Sequence, residues 1–177
     1  MHFPIIRTIP IEKLDKTAKQ AWDKSTHMLF TSRSAVKHWL ALSSLKGEIL
    51  AIGEATAATL KGWEGVLKIA PTATQEGVVD LLKTLDLSSA YLFWPRSTLS
   101  RPIIDQYLMQ QGISFYPLNL YTTKPQASLP LPNLDEFDEI VFTSPSTVEA
   151  FLAFFGCLPT DKRLTPIGPV THAALFP

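Results

Sequence analysis

The chain alternates short apolar runs with stretches in which apolar positions recur every three or four residues. HMLFT (27–31), EILAIG (48–53), VLKIA (66–70), AYLFW (90–94) and ISFYPLNLYT (113–122) read as strands. Apolar runs this short, bounded by turn residues, suit strands covered on both faces. Helical patterns lie between them at 34–43, 56–61, 76–85 and 101–111, the last closed by Gly112. A proline-rich segment, KPQASLPLPNL, carries Pro125, Pro130 and Pro132. Beyond it the pattern resumes with EIVFT (139–143), a helix over 146–155 and a strand running into Ile167 and Gly168. Strands alternating with helices predict right-handed βαβ units and parallel sheets.

The pattern is written twice. LFTSRSAVKHWL (29–40) matches VFTSPSTVEAFL (141–152) at an offset of 112, and AIGEATAATL (51–60) matches PIGPVTHAAL (166–175) at an offset of 115. A weaker echo sets HFPIIRTIP against SFYPLNLYT, with Pro4 opposite Pro117 at an offset of 113. Three echoes in one order at nearly one offset indicate an internal duplication. The expected fold class is α/β, with two similar lobes whose parallel sheets are flanked by helices. The two lobes are joined by two linkers, one near TIPIEKL and one through the proline-rich segment, which suits a semi-rigid crossing. The expected division is a continuous lobe at 9–124 and a discontinuous lobe formed by 1–8 with 125–177. The second lobe lacks counterparts of the strands and helices at 66–85 and 90–111, so it is expected to be incomplete at both chain ends, leaving sheet edges uncovered.

Composition narrows the function. Hydrophobic residues at 46% and charged residues at 18% describe an ordinary globular chain. Sixteen basic and sixteen acidic side chains cancel, which argues against a general nucleic-acid binder. No apolar run is long enough to span a bilayer and the N-terminus has no signal pattern, so the expected location is cytoplasmic, away from membranes, as a monomer. The single cysteine excludes an internal disulfide framework. Cys157 stands in FFGCLP, where an inert core thiol is expected. His2, His27, His38 and His172 show no metal-ligand spacing, so no metal is expected.

In each copy a strand ends at Phe-Thr-Ser and a helix starts within a few residues. Ligands of open α/β sheets sit outside the carboxyl ends of the strands, and free N–H groups at a helix start attract anions. Ser32, Ser34, Ser144 and Ser146 can add hydroxyl donors there. The GEAT and GPVT copies repeat the arrangement with a glycine and then Thr56 or Thr171. Several such sites facing one cleft would hold a ligand with many carboxylates or phosphates. Ordinary helix capping accounts for any one of them taken alone. Arg96 and Arg101, in WPRSTLSRP, lie between a strand end and a helix start and are candidate anion ligands. Tyr121 ends a strand beside the linker, where packing between lobes is the ordinary role. Asp135, Glu136, Asp138 and Glu139 read as a solvated turn.

FTSRSAV, FTSPSTVEAFL, the pair IGEATAATL and IGPVTHAAL, and LYTTKP together resemble the uroporphyrinogen-III synthase family over nearly the whole chain. The resemblance implies two α/β lobes on two linkers with the active site between them. It implies a lyase that takes the linear tetrapyrrole hydroxymethylbilane, inverts its last ring through a spiro intermediate, loses water and closes the macrocycle without a cofactor. A substrate rich in carboxylates fits the anion-binding helix starts, and a reactive substrate needs chiefly to be held in one conformation. By the same resemblance Tyr121 is the proton donor to the leaving hydroxyl. Thr171 matches the family's threonine, and Ser32 and Ser144 match its serines after the Phe-Thr motifs. Family members are longer, and the missing segments belong to the discontinuous lobe. The rival expectation is a two-lobed, non-catalytic binding module for a small polycarboxylate, with the same cleft and no turnover. A non-catalytic remnant that binds tetrapyrrole weakly is a further variant.

Overall fold

The computed structural model describes residues 1–127 and 130–177. The proline-rich crossing is therefore described only in part, since Ser128 and Leu129 lie outside the described residues. By its internal contacts the chain forms two compact units, Pro10–Thr122 and Met1–Ile9 with Thr123–Pro177.

Within Pro10–Thr122, α1 (Lys16–Lys24) leads into β2 (His27–Phe30), α2 (Arg33–Leu40), β3 (Glu48–Ala51), α3 (Glu54–Ala57), β4 (Leu67–Ile69), α4 (Gln75–Lys83), β5 (Tyr91–Ser97) and α5 (Ile103–Gln110). The strand β1 (Ile6–Pro10) precedes them and β6 (Ser114–Pro125) follows them. The sheet runs β1-β6-β5-β2-β3-β4. From β6 to β4 every neighbouring pair is parallel. β1 lies antiparallel to β6: the Gln126 N–H donates to the Ile5 carbonyl and the Ile11 N–H to the Leu120 carbonyl, both at 2.9 Å. The boundaries of the two units fall at these two strands.

Side-chain alternation sorts the strands onto two faces. Met28, Phe30, Ile49, Ala51 and Phe93 join Ala18, Ala21, Ala35, Val36 and Trp39 from α1 and α2 in one core cluster. Leu29, Leu50, Leu92 and Trp94 join Val78, Leu82, Ile104 and Leu108 from α4 and α5 in the other. The result is a three-layer sandwich, as expected when near-continuous apolar strands must be covered on both sides.

The second unit holds a 3₁₀ turn (Leu134–Glu136), β7 (Glu139–Phe142), α6 (Pro145–Phe155), β8 (Arg163–Pro166) and α7 (Pro169–Leu175). β7 and β8 form a parallel pair. Their core is Phe142, Val148, Phe151 and Leu175, with Ile5, Leu134, Ile140, Phe155, Leu158 and Leu164 packed against it. Val141 and Ile167 stand 56% and 69% exposed, so only one face of this strand pair is buried.

Several local expectations need correction. The segment expected as a helix at 56–61 is helical only at Glu54–Ala57, because Gly53 takes the N-cap and the chain turns again at Gly62. β5 runs three residues past Trp94, through Pro95. Proline is tolerated there because β2 pairs with β5 only at Leu92 and Phe93, so no ladder donor is lost on that side. The sequence pattern does not announce α1, since its apolar signal is little more than Ala18, Ala21 and Trp22 among lysines; Asp15 caps it by accepting from the Ala18 N–H at 2.7 Å. Cys157 is exposed rather than a core thiol.

Candidate functional site

β2 ends at Phe30, fully buried, and Ser32 becomes the N-cap of α2. Its backbone is extended, and its hydroxyl accepts from the Ala35 N–H at 3.0 Å. This is the local chemistry the Phe-Thr-Ser phrase predicts. The same hydroxyl lies 2.8 Å from the phenolic oxygen of Tyr121.

Tyr121 reaches Ser32 because of an irregularity in β6. Arg96 pairs with Asn119, but the next residue, Ser97, pairs with Tyr121, so Leu120 is an extra residue in the ladder. Tyr116, Leu118 and Leu120 face α1 and α2 by strict alternation, and the bulge turns Tyr121 to that same side. Without it Tyr121 would point toward the α4 and α5 face; re-aiming a side chain is what bulges do. Tyr121 is 7% exposed. Burial pushes its phenol above the ordinary tyrosine value, and the hydrogen bond with Ser32 opposes that rise. The ring of His38, on α2, lies 5.3 Å from the Tyr121 ring, tilted by 49°. Burial, and then the charge of Lys37, lower the His38 pKa and so favour the neutral imidazole. In the sequence His38 is one of four histidines without metal-ligand spacing. Its contact with Tyr121 follows from the bulge, which no local signal announces.

The second unit repeats the frame. Thr26 O accepts from Glu48 N–H and Phe30 O from Ile52 N–H; at matching positions Asp138 O accepts from Arg163 N–H and Phe142 O from Ile167 N–H, all at 2.9–3.0 Å. Ser144 caps α6 with the same extended backbone as Ser32. Ser34 and Ser146 occupy the second helical position behind these caps. Gly53 and Gly168 cap α3 and α7, and Thr56 and Thr171 stand third in those helices, each 4% exposed. The copies differ in their chemistry. In the second, Ser144 and Thr147 face each other as a capping box. The Thr147 hydroxyl accepts from the Ser144 N–H at 3.2 Å. The Ser144 hydroxyl opposite it is buried and makes no full hydrogen bond among the described residues. Ala150 stands where the first copy has His38.

The arginines are engaged by carboxylates. Arg96 Nη1 donates to Asp105 Oδ2 at 2.5 Å, and its guanidinium lies 4.5 Å from the Trp94 ring. Arg101 makes a two-pronged bond to Glu76 at 2.8 and 3.0 Å. Both pairs lie near the carboxyl end of β5, as the sequence placed them, but a ligand anion there competes with an internal partner. Among the described residues no group of three His, Cys, Asp or Glu side chains is placed to hold a metal ion, and no helix is long and apolar enough to cross a membrane.

The sequence model of the family described as Uroporphyrinogen-III synthase HemD matches residues 1–176. Among solved structures, uroporphyrinogen-III synthetase from Helicobacter pylori 26695 aligns at a TM-score of 0.65 and 22% identity, over 97% of this chain and 79% of that one. A mutant uroporphyrinogen III synthase from the extremely thermophilic bacterium Thermus thermophilus aligns at 0.64 and 19%, over 98% of this chain and 77% of that one. No curated protein matches the chain. At such identities the structures speak for the shared two-lobed α/β fold, while the family match spans nearly every residue described above: the chain belongs to the uroporphyrinogen-III synthase family.

Proposed function

We propose that this chain carries out the family's cyclisation with Tyr121 as the proton donor. The enzyme is a uroporphyrinogen-III synthase, a lyase that converts the linear tetrapyrrole hydroxymethylbilane to uroporphyrinogen III with inversion of the last ring and loss of water. The observation that carries the role of Tyr121 is its 2.8 Å bond to Ser32 at the start of α2. The phenol is buried among apolar side chains, beside the positive end of a helix, where a developing phenolate is stabilised and the neutral acid persists at working pH. The proton goes to the terminal hydroxyl as its C–O bond breaks.

Substrate carboxylates are assigned to the helix starts: the backbone N–H groups behind the Ser32 cap, with Ser34 and Thr56, in one unit, and Ser144, Ser146 and Thr171 in the other, with Arg96 and Arg101. The buried Ser144 hydroxyl, short of a full hydrogen bond, supports this set, because such a group normally finds a partner. The two lobes of the working enzyme are assigned to 9–124 and to 1–8 with 125–177.

The test generates hydroxymethylbilane in situ and separates the type I and type III products. Tyr121→Phe keeps the ring and removes the hydroxyl. Losing general-acid help lowers the rate by about 10²–10⁴-fold, with folding nearly unchanged. Full type III formation by this variant eliminates Tyr121 as the donor.

A further inference from the structure

We propose that Ser32 is a positioning residue for this reaction: held at the N-cap of α2, its hydroxyl donates to the Tyr121 oxygen and leaves the Tyr121 proton free for the departing group. This rests on the reading of Tyr121 as the proton donor.

A serine hydroxyl has one proton and two acceptor sites. The Ala35 N–H occupies one acceptor site of Ser32. The 2.8 Å link to Tyr121 is compatible with either direction. If Tyr121 donated, its proton would be held inside the protein and would have to leave Ser32 before any transfer. If Ser32 donates, the phenolic O–H can turn outward, and the phenolate formed by transfer already has its hydrogen bond. The Ala35 N–H polarises the Ser32 hydroxyl and makes it a better donor, as linked hydrogen bonds do. The eight-residue α2 presents its positive end at the same place.

The internal copy supplies a control. Ser144 has the same backbone and the same place at a helix start, yet no phenol meets its hydroxyl among the described residues. The serine cap therefore comes with the duplicated frame, whereas the tyrosine joined to it does not. The tyrosine arrives through the Leu120 bulge, found at this position of β6. Among the described residues the titratable ring packed against Tyr121 is His38, whose pKa is lowered by burial and then by the charge of Lys37; Ser32 is the hydroxyl that meets the phenol.

In the step itself the Tyr121 O–H bond breaks and its proton joins the terminal hydroxyl oxygen. The C–O bond breaks with its electron pair on oxygen, and water leaves. Ser32 holds the phenolate until the proton released when the closing pyrrole regains aromaticity restores Tyr121 through solvent. The net products are the macrocycle and one water.

The test uses the full chain with Ser32→Gly and Ser32→Thr. Glycine is tolerated at an N-cap, and threonine keeps both cap and hydroxyl. The phenolate of Tyr121 is titrated by ultraviolet absorbance without substrate, with Tyr121→Phe subtracted as the reference. Type III formation gives kcat and KM. We expect Ser32→Gly to raise the Tyr121 titration midpoint and to lower kcat about ten- to a hundredfold with KM little changed, the effect of one hydrogen bond to a charged oxygen. Ser32→Thr restores both. A midpoint that falls or stays in Ser32→Gly shows Tyr121 donating to Ser32 and overturns the proposal. A change confined to KM assigns Ser32 to substrate binding and overturns it too. Full activity of Tyr121→Phe removes the underlying reading and the proposal with it, and the absorbance titration, which needs no turnover, keeps that failure distinct from a reversed hydrogen bond.

Discussion

Replacing Asp105 by Asn tests the Arg96 pair both as a structural contact and as part of the site. Asp105 lies in the first turn of α5, and its carboxylate accepts a hydrogen bond from Arg96 Nη1 at 2.5 Å. The two side chains are only 20% and 17% exposed. Exposed pairs contribute about 0.2–1 kcal/mol, and breaking a fully buried pair costs about 3–5 kcal/mol. Burial of four-fifths places this one between them, near the value of about 1.5–3 kcal/mol for a hydrogen bond to a charged group. Asn also loses the favourable interaction of a carboxylate with the helix start, about 0.3–1 kcal/mol. The Trp94 ring continues to hold the guanidinium at 4.5 Å, which limits the damage. The expected cost is about 2–3 kcal/mol, or roughly 4–12 °C in Tm for a chain of this size. Urea titration followed by tryptophan fluorescence measures it. A cost below about 0.5 kcal/mol would show that the pair behaves as a surface contact and that the burial argument is wrong. The same variant tests the assignment of Arg96 as an anion ligand: freed from its internal partner, Arg96 should lower KM while stability falls. An unchanged KM takes Arg96 out of the binding set.

Two further outcomes follow from the geometry. The hydrogen bonds from Arg101 hold the Glu76 carboxyl at about 2, against an ordinary 4.5; a folded value below the unfolded one stabilises above pH 4.5, and that stabilisation is lost as the pH falls toward 2. With side chains 37% and 54% exposed the effect stays below about 1 kcal/mol, so the urea midpoints of the wild type and Glu76→Gln should differ slightly at pH 7 and converge on acidification; a gap that widens instead refutes the assignment. Gly47 has φ +65°, and an added Cβ would lie 2.1 Å from the Thr26 carbonyl oxygen, the acceptor that anchors Glu48 at the start of β3. Gly47→Ala should cost at least about 1–2 kcal/mol from backbone strain alone, and an alanine variant with wild-type thermal stability contradicts that placement.

Much of the frame was legible along the chain because its signals are local. A buried strand reads as an unbroken apolar run, and the serine after Phe-Thr announces a helix cap; Ser32 accepting from Ala35 needs only the three residues that follow it. The repeat was legible for the same reason. Val36 and Val148, Trp39 and Phe151, and Leu60 and Leu175 fall at matching positions and are all buried. The family's motifs are short and local as well, so they too could be read before any fold was known.

What tertiary structure decided depends on pairings that no window of sequence contains. Arg96 and Arg101 are cations beside a strand end in the sequence; in the fold each has a carboxylate, nine and 25 residues away. Cys157 reads as apolar from its neighbours, yet it is exposed, since burial depends on what packs over a position and not on what flanks it. The strand order β6-β5-β2-β3-β4 is likewise a matter of which edges meet. Tyr121 shows the division most sharply. Its identity and its place at a strand end were there to be read, but strict alternation carries residue 121 to the face opposite residue 120. One extra residue opposite β5 reverses that, and a bulge is a relation between two strands. That relation, and not the tyrosine alone, sets the phenol against Ser32 and His38.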